Sequence, residues 1–373
     1  MFTWLLAAAL AASSPATAVS APPVAPGPPP MPETLPAEVV VPSPEEVMAL
    51  PPGLLEALRT QVIERTPRGM GRLERLVAFM HRPDGLDIRY RHDADLTVAQ
   101  VWETRQANCL SFTLLTIAMA RAAGLDAYGQ EIARTLSWYA EGDTLYFSNH
   151  VNAGVRIGPH EYTVDVGSDS VMTRDPPQRV DDSRLMAVYY SNRAAALLSE
   201  GDNHTAGRFI EAALTVDPGY PSAWNNAGVQ RLRMGMPEAA EAAFRRALEL
   251  DGSHDGTLMN LAALYASRGE HARAGEYRRR LERLRQRNPY HVFIQAVEAE
   301  RRDDYEAAAR HYRRAISMHE AEHRFHFGLA RALLHLGDAS GAGRALSRAH
   351  DLSKGAMQAT YAAKLDLLRR KGL

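Results

Sequence analysis

The chain has 373 residues, 46% of them hydrophobic, which is too long for one ordinary domain and apolar enough to fill more than one core, so two folded parts are expected. The formal net charge is −1, but up to Leu185 there are 15 basic and 22 acidic residues and beyond it 28 and 22, or about −7 against +6. An excess that small, with no surface interleaving aromatic and basic residues, argues against nucleic acid as a partner and leaves an acidic partner open for the C-terminal half.

Met1 to Ala12 is apolar and uncharged and leads to Ala16-Thr17-Ala18, a small-x-small cleavage pattern. The stretch is too short to span a membrane and reads as a signal peptide over residues 1–18, cut after Ala18 or Ala21. The protein is therefore expected to be exported, to a periplasm or outside the cell, with no transmembrane segment in the mature chain. Residues 19–52 hold Pro22-Pro23, Pro28-Pro29-Pro30 and Pro51-Pro52 and read as an extended linker. A single cysteine, Cys109, cannot close an internal disulfide. In an exported protein it is either buried and inert or a free thiol kept for chemistry.

Residues 53–180 mix helical and strand signals. Leu54–Leu58, Met70–Phe79 and Thr97–Arg105 have helical periodicity, and Leu86–Tyr90 alternates. Asn108 is an expected N-cap for an apolar helix that ends at Gly124. Cys109 then lies at a helix N-terminus, where unpaired N–H groups and the helix dipole favour a thiolate and can also hold a developing oxyanion. Leu145–Ile157 and Glu161–Val166 read as strands joined at Gly158-Pro159. A loop over Arg156–Pro159 sets His150 opposite Asp165, whereas a loop of Gly158-Pro159 alone sets Asp165 opposite Asn152 with His150 diagonal. Either register puts His150 and Asp165 on one face, where a carboxylate can orient an imidazole. Trp102 and Asn108 read as packing and capping residues. The remaining histidines lack metal-ligand spacing, so neither metal nor cofactor is expected.

The run Thr97–Arg105, then Asn108-Cys109, then Ala120–Ala127, followed by the His150 and Asp165 strands, resembles the core of the transglutaminase-like superfamily over about Leu76–Gly167. The resemblance implies a papain-like α+β fold with a Cys-His-Asp triad for acyl transfer or hydrolysis, although some members are inactive. By position it makes Cys109 the nucleophile, His150 the general base and acid, and Asp165 the orienting residue. Ala107 stands where a glycine is common, and no tryptophan follows His150 at the usual short distance.

From Met186 the chain repeats. Gly201, Gly235, Gly269, Asp303 and Gly337 recur every 34 residues. In the same register Ala194, Gly228, Ala262, Ala296 and Ala330 allow close helix crossing, as do Ala206, Ala240, Ala274, Ala308 and Ala342. Phe244, Tyr312 and Leu346 fill around the crossings, but Arg278 replaces the filler in the third unit. Asp303 lacks the freedom of glycine and is expected to turn differently. This pattern resembles a tetratricopeptide repeat array, an all-α solenoid over residues 186–373 with a C-terminal capping helix. The resemblance implies a concave face that takes a protein or peptide segment. The arginine-rich run Arg278–Arg287 is either a site for an acidic partner or a solvated helix face.

Two functions follow. One is an exported thiol-dependent acyl-transfer enzyme, either a peptidase or amidase or a transglutaminase-type crosslinker, acting on a polypeptide that its repeats recruit. The other is a catalytically inactive scaffold that binds protein partners through the repeats.

Overall fold

A reciprocal cap opens the folded chain at Ser43, whose hydroxyl accepts from Glu46 N while the Glu46 carboxylate accepts from Ser43 N. The computed structural model describes residues 40–138, 145–166, 171–172 and 176–370. The expected signal peptide and the linker up to residue 39 lie outside them. Helix α1 (Pro44–Met48) buries Val47 completely, and the Tyr190 hydroxyl donates to Pro42 O at 2.7 Å. The linker expected to reach Pro52 is thereby corrected. Its last residues are folded, because a well-capped turn with an apolar side has a core to pack against.

Helix α2 (Pro52–Leu58) widens into a π turn at Arg59–Ile63, and α3 (Met70–His81) follows. Strands β1 (Arg89–Tyr90) and β2 (Gln106–Ala107) pair in parallel around α4 (Val98–Thr104). In α5 (Cys109–Ala122) every residue from Leu110 to Ala120 is buried, as expected of a helix apolar on all sides. Strands β3 (Asp126–Trp138), β4 (Leu145–Ile157), β5 (His160–Val164), β6 (Val171–Met172) and β7 (Gln178–Val180) form an antiparallel sheet. Its order is β5-β4-β3-β6, with β7 also on β3.

Eleven helices complete the described chain. They are α6 (Asp182–Glu200), α7 (Asn203–Val216), α8 (Pro221–Arg233), α9 (Pro237–Leu250), α10 (Asp255–Ser267), α11 (His271–Gln286), α12 (Pro289–Arg301), α13 (Tyr305–Met318), α14 (His323–His335), α15 (Ala339–Leu352) and α16 (Gly355–Arg370). The small residues sit at the crossings: a Cβ on Gly228 would lie 2.3 Å from the Phe244 ring. Asp303 has φ +58, in line with Gly201, Gly235, Gly269 and Gly337 at +74 to +89, so the expectation of a different turn is corrected. Aspartate tolerates the left-handed region better than most residues, and here its carboxylate also accepts from the Tyr305 hydroxyl at 2.7 Å. In the third unit Tyr277 takes the filling role that Arg278 cannot, stacking on Tyr265 at 5.6 Å. Only Ala274 and Leu281 of α11 are buried, so most of the arginine-rich run is a solvated face.

One apolar core runs from Val47 through α5 and the sheet into α6, α7 and α8, as far as Ala243 in α9. From Val41 onward the chain is one compact unit. The boundary expected at residues 181–185 therefore lies within packed structure, with Leu185 and Met186 buried beside the sheet residues. Among the described residues, no helix is long and apolar enough to cross a membrane.

Candidate functional site

Cys109 is the first residue of α5 and is partly exposed. Asn108 caps the helix as expected, its Oδ1 accepting from Ser111 N at 2.9 Å. The helix start is bolted to the loop before α4. The buried Ser111 hydroxyl donates to Ala94 O at 2.6 Å and accepts from Leu96 N at 2.7 Å. Asn108 Nδ2 donates to Asp95 Oδ1 at 2.7 Å. On the other side the Thr113 hydroxyl lies 2.7 Å from Cys109 O and 3.2 Å from Val151 O, sharing its hydrogen between helix and strand. The cysteine is thus fixed relative to β4, one residue from His150.

His150 enters from β4 opposite Ile132. Immediately beyond it the β3–β4 ladder shifts, so that Ala133 and Arg134 stand against Asn149 alone. A bulge of this kind increases local twist and re-aims the neighbouring side chain. The β4–β5 hairpin closes on two residues, Gly158 with φ +59 followed by Pro159, which fits a type II′ turn because proline holds its own φ negative. Of the two registers open from sequence, this selects the one in which Ile157 faces His160. One step beyond the last pair, Asp165 lies across from Asn152, and His150 is the diagonal neighbour.

His150 Nε2 lies 2.6 Å from Asp165 Oδ2. The histidine is 2% exposed and the aspartate side chain 13%. Burial pulls the imidazole pKa down, but hydrogen bonding to Asp165 and Cys109, with the negative charge of Asp165, outweighs it and raises the pKa to about 9. With Nε2 on Asp165, Nδ1 is the nitrogen left for the thiol. Cys109, His150 and Asp165 are therefore brought together in one cluster.

Three contributors were missed from sequence. Asn152 is 2% exposed, and its Nδ2 reaches Asp165 Oδ2 at 3.4 Å while its Oδ1 is buried without a partner among the described residues. Its spacing of two residues from His150, on the same face of one strand, was the available signal. Thr113, one turn into the helix, had none beyond being polar in an apolar run. Asp95 had none, since its second partner, Asn192 Nδ2 at 3.2 Å, is 97 residues away. Trp102 is a packing residue, as expected, and carries the Arg105 guanidinium on its ring at 3.9 Å.

The tetratricopeptide repeat family model matches residues 295–356, and the coatomer epsilon subunit model matches residues 194–313. The heat-shock protein cognate co-chaperone sgt12 of Aspergillus fumigatus is 36% identical over 66 residues, covering 18% of this chain and 19% of that protein. Small glutamine-rich tetratricopeptide repeat-containing protein 2 of Saccharomyces cerevisiae is 34% identical over 68 residues, covering 18% and 20%. The chain thus spans about a fifth of the length of these curated relatives. Among solved structures, YrrB, described as a tetratricopeptide repeat protein with an unusual peptide-binding site, is 20% identical with a TM-score of 0.26, over 48% of this chain and 92% of that one. The C-terminal half of the chain is a tetratricopeptide repeat array, preceded by an α+β region.

Proposed function

We propose that this protein binds a protein or peptide segment on its repeat array. The observation that carries this reading is the array itself, whose helix pairs from α6 to α15 repeat with one register of small and filling residues. A stacked solenoid of this kind offers extended surface for a polypeptide, and the likeness to a named co-chaperone supports the same class of partner. Peptide display against the full chain tests it. The expected result is a family of related sequences that bind saturably and equally well to a Cys109→Ala variant. Failure to enrich any sequence would sink the reading.

A second reading, thiol-dependent acyl transfer on the bound polypeptide, is favoured by the 2.6 Å bond between His150 and Asp165 and by the place of Cys109 at the start of α5, tied through Thr113 to Val151 beside His150. The resemblance of residues 76–167 to the transglutaminase-like core supports it. In this reading the Cys109 thiolate attacks an amide or ester carbonyl, and His150 gives its proton to the departing amine or alcohol. Water or an amine then displaces the thiol from the thioester and returns a proton to His150. Iodoacetamide alkylation of Cys109, compared between the native chain and His150→Ala, tests the pair. A fast reaction that slows on losing His150 supports it, and equal slow rates in both leave only the scaffold. The apolar stretch ending at Ala18 supports export, which N-terminal sequencing of the secreted or periplasmic fraction checks.

A further inference from the structure

Arg105 carries a positive charge that no acidic side chain among the described residues meets. It closes α4, four residues before Cys109, in the left-handed region at φ +57. Its guanidinium carbon stacks 3.9 Å from the Trp102 ring centroid, while Nη1 is buried with no hydrogen-bond partner among the described residues. Burial pushes its pKa down, and no acidic side chain among the described residues opposes that. Several other partly buried arginines here do have an acid: Arg184 on Asp217, Arg268 on Glu241 and Arg331 on Glu300. A desolvated guanidinium N–H left unpaired is costly and calls for an explanation. The residue as a whole remains partly exposed, so an anion from solution can reach it.

Its place in the chain says where that anion would lie. Only Gln106, Ala107 and Asn108 separate Arg105 from Cys109, which limits the Cα separation to about 14 Å. The backbone on both sides is held, by Arg89 N on Arg105 O at 2.9 Å and by the Asn108 cap. The indole fixes the plane of the fork.

We propose that Arg105 is the recognition cation for a carboxylate on the molecule that approaches Cys109. A planar guanidinium matches a carboxylate in shape and in its single charge, whereas a phosphate dianion calls for further cations. Arg91 and Arg89, the neighbouring arginines of β1 and its end, are already engaged by Asp93 and Asp87. This goes beyond binding on the repeats. Only its placement beside a reacting thiol rests on the second reading above.

The test uses the full chain, Arg105→Gln and Arg105→Lys, with two readouts. The first is the melting temperature in acetate, inorganic phosphate or chloride at equal ionic strength. Acetate is expected to raise it over chloride in the native chain and in part in Arg105→Lys, and not in Arg105→Gln. An equal acetate shift in Arg105→Gln, or an Arg105-dependent shift with phosphate alone, overturns the carboxylate site. The second is the ratio of Cys109 alkylation rates with iodoacetate and iodoacetamide. Arg105→Gln is expected to lower that ratio by about five- to tenfold, from loss of one nearby charge, with the iodoacetamide rate held within about twofold. An unchanged ratio overturns the placement beside Cys109. If Cys109 reacts with neither reagent the thiol reading fails, and the acetate shift alone decides Arg105.

Discussion

Asn192 Nδ2 donates to Asp95 Oδ1, the same oxygen that accepts from Asn108 Nδ2, the cap residue beside Cys109. The bond extends a ladder. Asn226 Nδ2 donates to Ser191 Oγ at 2.9 Å and Asn260 Nδ2 to Asn225 Oδ1 at 2.9 Å, so each asparagine of the series 192, 226 and 260 bonds one unit back. At Asn192 no repeat precedes, and Asp95 takes the place of one. The first repeat helix and the start of the cysteine helix thus share an acceptor.

Asp95→Ala removes that acceptor from two amides, one buried and one half-buried, and is expected to cost about 1–3 kcal/mol. The check is urea unfolding beside Asn192→Ala. The double variant should cost less than the sum of the two, because the residues act on one bond. Strict additivity would mean that the contact carries no weight.

The pH dependence of stability should carry the signature of His150. Its folded pKa, about 9, lies above the ordinary histidine value, so its contribution is complete below about pH 6.5 and is lost as pH rises through 9. The shift corresponds to an effect on the order of 3 kcal/mol. Urea midpoints from pH 6 to 10 should fall in the native chain and fall less in His150→Gln.

Thr113→Val keeps the volume and deletes the hydroxyl between Cys109 O and Val151 O. We expect a stability loss of about 1 kcal/mol together with slower Cys109 alkylation, since the helix start is freed from β4. Unchanged alkylation would show that Thr113 only packs.

Asn152→Ala should act on Asp165 rather than on the fold. The expected result is a lower histidine pKa by proton-resonance titration, because Asp165 is held less firmly to His150, with Asn152→Asp perturbing it further. A titration identical to that of the native chain would remove Asn152 from the site.

Asp303→Ala should destabilise the array by about 1 kcal/mol, the cost of a side chain at positive φ without local hydrogen bonding. Asp303→Gly should cost less, despite losing the Tyr305 bond. The reverse order in thermal melts would mean that this hydrogen bond, rather than the turn, holds the fourth unit.

The repeats, the cap at Asn108 and the face shared by His150 and Asp165 are legible in the sequence. Each of these is periodic or local: a 34-residue spacing, a side chain reaching a backbone N–H three residues on, an alternation along a strand. The sequence left the hairpin register open, since both loop lengths preserve the alternation, and Gly158 with Pro159 closed it in the folded chain. Composition extends the linker to Pro52 because it marks the prolines, while burial of Val47 depends on a core assembled elsewhere. The shared core across residues 181–185, the Asp95 bond to Asn192 and the Arg105 guanidinium without an acid among the described residues arise only on folding. Such features depend on which distant groups are left facing one another once the apolar surfaces have packed, and no local pattern records that.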